Sequence, residues 1–152
     1  RSLGAVGVTK VLDDPGPRLS RRGSDHEGIL AFVGHVTDAV GTDLHRFSMN
    51  AGMKSILNIM SKYLNLGMSV NDVVTRASWN AAKALKHEEL GNLSEGSVAD
   101  IAILNLQHGS FGFVDAGGKR LSGDKKLEAE LTIRAGKIVW DLNGLSAQPY
   151  QR

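Results

Sequence analysis

Apolar residues at Met53, Ile56, Leu57, Met60, Tyr63 and Leu64 recur every three or four positions. That spacing lays one stripe along a helix and predicts an amphipathic helix over Ala51 to Leu66, with Gly67 as its stop. The methionines on the stripe are core filler. Ser69 followed by Asp72 resembles a capping box, and Val70, Val73, Val74 and Ala77 give the helix behind it an apolar face. Ser78-Trp79-Asn80 interrupts that pattern. Ala81 to Lys86 reads as one more helical turn.

From Gly91 the period shortens to that of strands. Val98 to Leu106 and Phe111 to Val114 are strand candidates, separated by a polar stretch and followed by the turn Asp115-Ala116-Gly117-Gly118. Leu127 to Arg134 alternates, with Leu127, Ala129, Leu131 and Ile133 on one face. Ala135-Gly136 then leads into Lys137-Ile138-Val139-Trp140. Two alternating runs joined by two residues ending in glycine predict a β-hairpin.

The first third is less regular. Val6, Val8, Val11 and Leu12 suggest a short strand, and Asp13-Asp14-Pro15-Gly16-Pro17 is a turn. Residues 18–28 are polar and aperiodic. Ile29 to Val33 is a short apolar run, and His35 to Val40 is a candidate strand. Residues 1–34 therefore stand as an unplaced segment or linker.

Composition narrows the class. The 152 residues are 41% hydrophobic and 22% charged, as in a globular protein. With no cysteine, disulfides, thiolate metal sites and a cysteine nucleophile are excluded, and a cytoplasmic home is the expectation. No apolar run reaches the ~20 residues of a membrane span. The net charge of +2 argues against nucleic acid as a partner. Arg18, Arg21 and Arg22 are few and lack interleaved aromatic residues, so they read as a solvated arm.

The candidate chemistry centres on Gly41-Thr42-Asp43-Leu44-His45. Asp43 follows the candidate strand, where the chain turns toward a helix. In barrels of alternating strands and helices, a carboxylate at a strand's C-terminal end points into the catalytic mouth. An aspartate there also suits a turn or helix cap. Asp25-His26-Glu27 and His35 are weaker ligand candidates. His87-Glu88-Glu89 lacks the second histidine, four residues after the first, that a zinc-protease helix needs.

Gly91-Asn92-Leu93-Ser94-Glu95-Gly96-Ser97-Val98-Ala99-Asp100, continuing to Leu104, resembles the closing Gly-x-Leu-x-x-Gly-x-x-Ala-Asp motif of the metal-dependent amidohydrolase superfamily. Ala77 to Lys83 resembles the Thr-x-Asn-Pro-Ala helix that precedes it, with Ala81 in place of the proline. Leu131 to Asp141 resembles the final hairpin. Thr42 to His45, Ser48 to Lys54 and Phe111 to Asp115 resemble the amidohydrolase/deacetylase-type branch. The set spans residues 41–144.

The resemblance implies an α/β plus β chain: terminal strand-helix units of an incomplete (β/α)8 TIM-like barrel over residues 35–90, then part of a small composite β-sandwich over 91–146. It implies a hydrolase of C–N amide or ester bonds in small molecules that uses one or two zinc ions. Asp43 matches the aspartate that binds metal and takes a proton from the attacking water, and His45 stands beside it. A metal lowers the pKa of bound water from roughly 16 to about 7, which suits a carboxylate base. The family's His-x-His pair is missing here. A full barrel takes about 250 residues. The chain alone is thus expected to be inactive and to need the missing barrel portion or self-association. The alternative is a non-catalytic structural remnant or assembly module.

Overall fold

The computed structural model describes residues 7–13, 38–42, 55–114 and 118–151, the first group by backbone pairing alone. Ala51 to Lys54, His26, His35 and the Arg18 to Arg22 arm lie outside the described residues. Three helices and four strands follow in the order β1 (Gly7–Asp13), α1 (Ile56–Asn65), α2 (Val70–Ala77), α3 (Trp79–Leu85), β2 (Ile101–Val114), β3 (Arg120–Arg134) and β4 (Lys137–Asp141). The strands form one mixed sheet in the order β1-β2-β3-β4, with β1 parallel to β2 and the other pairs antiparallel.

Both ends of α1 and the start of α2 have a local cause. Ser55 caps α1 by accepting the Asn58 N–H at 3.2 Å, so the regular helix starts after Ser55, later than the apolar stripe suggests. At the other end Gly67 has φ +101, and Met68 N–H donates to the Tyr63 carbonyl at 3.0 Å. This closes the helix as expected, because glycine enters the left-handed region without a Cβ penalty. Ser69 Oγ accepts the Asp72 N–H at 3.1 Å and donates to the Asp72 carboxylate at 2.7 Å, which starts α2. The predicted turn at Ala81 is part of α3, which begins at Trp79. Asp38 to Thr42 are irregular, so the expected strand does not continue through Val40.

The core lies between α1, α2 and one face of the sheet. Met60 and Leu64 from α1 and Val73 from α2 meet Ala102, Leu104 and Leu106 of β2 and Leu127 of β3. Burying each of the larger side chains stabilises the fold by about 1.5–3 kcal/mol. The three β2 residues are spaced by two, as one face of a strand requires.

Polar groups fasten α1 to β3 through this apolar layer. Ser61 is fully buried; its hydroxyl donates to the Leu57 carbonyl at 2.6 Å and accepts the Leu127 N–H at 2.9 Å. Asn65 Oδ1 accepts the N–H groups of Asp124 (2.9 Å) and Lys125 (3.1 Å). Its Nδ2 donates to the carbonyls of Ser61 and Lys125, each at 2.7 Å. The helix thereby satisfies strand backbone that has no ladder partner on that side.

Two strand boundaries differ from the pattern-based expectation. Ile101 to Leu106 and Phe111 to Val114 belong to one strand, β2, which begins three residues later than the expected Val98 start. The strand expected from Leu127 begins at Arg120, since Phe111, Phe113 and Val114 pair with Gly123, Leu121 and Arg120. Arg120 to Lys126 carries little apolar alternation, so cross-strand pairing and the Asn65 bonds hold it extended.

The hairpin β3–β4 forms as predicted, with Arg134 opposite Lys137. Its outer strand is exposed: Ile138, Val139 and Trp140 are 49%, 58% and 51% accessible. A register shift between Thr132 and Ile133 leaves Val139 as an extra residue on β4. A bulge in a short strand blunts an open edge, yet three consecutive apolar side chains stay in contact with solvent. Leu142, Leu145 and Tyr150 are exposed as well. Concentration-dependent association of the purified chain is the expected result in sedimentation analysis. Sharp, cooperative unfolding of a monomer at low concentration would contradict it.

Candidate functional site

Asp43 and His45, the residues expected to carry the chemistry, lie outside the described residues. Their approach is described. Val40 is buried, and its N–H donates to the Arg76 carbonyl in the last turn of α2 at 3.0 Å. The chain is therefore anchored to α2 three positions before Asp43. Val73 of α2 is completely buried.

Among the described residues, no three His, Asp or Glu side chains are grouped as a metal ion would need. His87 Nδ1 meets Glu89 Oε1 at 2.9 Å on the surface, and the His87 hydrogen bond lowers the Glu89 pKa. Both side chains are more than half exposed, so this is a solvated pair. The Asp141 pKa is also lowered, chiefly by the Ser146 side chain, whose hydroxyl donates at 2.7 Å. The N–H groups of Leu145 and Ser146 add two bonds, each at 2.9 Å. That carboxylate closes the turn after β4.

The sheet carries a second polar group. Glu130 is buried and accepts Asn105 Nδ2 at 3.0 Å and Asn143 Nδ2 at 2.7 Å. Glu128 accepts Gln107 Nε2 at 2.6 Å and Lys126 Nζ at 3.1 Å. These carboxylates are held by amide donors and a lysine, the arrangement of a structural network. A cavity of about 240 Å³ between α1 and the sheet is lined by Asn58, Phe113, Lys126 and Leu127, among others. Asn58 Oδ1 is buried there without a hydrogen-bond partner among the described residues.

Pattern reading missed Ser61 and Asn65, which occupy polar positions one turn apart on α1. A serine and an asparagine four residues apart beside an apolar stripe are a weak signal, because solvent-facing polar residues show the same spacing.

The comparisons with known proteins agree with the layout. The sequence model of the amidohydrolase family matches residues 22–139, well over half of the chain. The chain belongs to the amidohydrolase family. Its relatives include a deacetylase of Brucella anthropi, 31% identical over 91 residues, covering 60% of this chain and 21% of the deacetylase. The crystal structure of an adenine deaminase superposes with a TM-score of 0.67 at 20% identity, over 74% of this chain and 31% of that one. That of a dihydroorotase gives 0.61 at 19% identity, again over 74% and 31%. At such identities the two structures establish a shared fold. This amidohydrolase chain thus spans about a fifth of the deacetylase and under a third of each solved relative.

Proposed function

We propose that this chain is the C-terminal portion of a zinc-dependent, deacetylase-like amidohydrolase that cleaves an amide or ester bond in a small molecule. The observation that carries the reading is the family match over residues 22–139, which spans Thr42-Asp43-Leu44-His45. The deacetylase similarity points to the same branch. Asp43 is the metal ligand and proton acceptor in this reading, and His45 stands beside it.

Zinc sites use about three or four protein ligands drawn from His, Cys and carboxylates. This sequence has no cysteine and no His-x-His pair, and the described residues assemble no group of three ligands. Among the described residues no zinc centre is assembled. What the chain contributes is one carboxylate of suitable chemistry, carried on a segment anchored through Val40 to α2.

It follows that the chain by itself binds zinc weakly and turns over little. Calorimetric titration of the purified chain with zinc checks this. A shallow isotherm that Asp43→Ala flattens further is the expected result. Tight stoichiometric binding would mean that this chain carries ligands beyond Asp43.

A further inference from the structure

The Gly91–Asp100 signature has no part in the chemistry proposed above, yet its residues make specific contacts. Gly91 packs against α3 so closely that a Cβ there would lie 2.5 Å from Ala82 Cβ and 3.1 Å from Trp79 Cα. Asn92 Nδ2 donates to the Glu88 carbonyl at 2.7 Å. Its Oδ1 accepts the Ser94 N–H at 2.9 Å and the Ser97 hydroxyl at 2.7 Å. These contacts fold the segment onto the end of α3. The last two residues reach elsewhere. The Ala99 carbonyl accepts the Gly136 N–H at 3.0 Å, and Asp100 Oδ1 accepts the Ala135 N–H at 2.7 Å.

Those two donors are the central residues of the β3–β4 turn, and both have positive φ: 47° at Ala135 and 76° at Gly136. A two-residue hairpin turn of this kind favours Asn-Gly or Asp-Gly, because each central residue is left-handed. Alanine has no side-chain acceptor to help it and carries a Cβ that disfavours the left-handed region. We propose that Ala99 and Asp100 are a latch. They receive both N–H groups of the turn, hold Ala135 left-handed, and so set the hairpin register and tie it to the segment leaving α3. In this assignment the closing residues of the signature are a mechanical joint between helix and sheet. The assignment stands or falls independently of Asp43.

The test is amide hydrogen exchange by NMR on the chain and on Asp100→Ala, Asp100→Asn, Ala135→Gly and the Asp100→Ala/Ala135→Gly double variant. Asp100→Ala is expected to speed exchange at Ala135 and Gly136 by roughly tenfold, the loss of one carboxylate acceptor. Exchange at Leu127 in the core should be unchanged. Asp100→Asn keeps an acceptor oxygen and should restore most of the protection. Ala135→Gly removes the left-handed penalty, so the effect of Asp100→Ala should shrink in that background. Unchanged turn exchange in Asp100→Ala would overturn the latch. So would an Asp100→Ala effect of equal size with alanine or glycine at position 135. Should Asp100→Ala fail to fold, loss of protection at the turn in Asp100→Asn, equal to that of solvent-exposed amides, would overturn it.

Discussion

An Asp43→Asn substitution is expected to lower the turnover of any amide- or ester-hydrolysing assembly containing this chain by roughly 10²–10⁴-fold. That is the range for removing a positioned general base. Asparagine preserves the shape of the side chain, but its amide cannot accept the proton of an attacking water at neutral pH. The loss should fall mainly on kcat, since Asp43 is proposed to act on the reacting water and not on the remote part of the substrate. Steady-state kinetics of the variant, with its metal content measured alongside, gives the answer. Unchanged turnover would leave the chain a non-catalytic assembly module.

Replacing Gly123 by alanine is expected to destabilise the fold by about 2–4 kcal/mol. A Cβ at this position would fall 2.2 Å from Asn65 Cγ. Asn65 cannot simply swing away, because its amide makes four hydrogen bonds that join α1 to β3. Either the asparagine surrenders them or the strand backs off and pulls on the Ser61–Leu127 bond beside it. Urea unfolding followed by circular dichroism measures the cost. In an Asn65→Ala background the Gly123→Ala penalty should largely vanish, because the obstructing group is gone. Equal penalties in the two backgrounds would show that the close approach is not the cause.

These predictions separate what pattern reading could reach from what it could not. The two longer helices were legible because their apolar stripes have helical spacing and their ends carry Gly67 and Ser69, whose local chemistry needs no distant partner. The β3–β4 hairpin was legible for the same reason. The early part of β3 was not: Arg120-Leu121-Ser122-Gly123-Asp124 precedes the strand expected from Leu127 and is held extended by pairing with Phe111 to Val114. The family was legible from motifs at fixed spacing, and the match over residues 22–139 bears it out.

Local order along this chain, with its periodic apolar faces, capping serines and glycine stops, is written in the residues themselves, because each depends on neighbours within a few positions. The joining of α1 to the sheet required the three-dimensional arrangement. Ser61 and Asn65 find their partners some sixty positions away at Asp124, Lys125 and Leu127. Asp100 meets Ala135 across thirty-five. No periodicity encodes such bonds: they arise only once the apolar layer has brought distant backbone within reach, and a buried polar group must then be satisfied by whatever lies opposite.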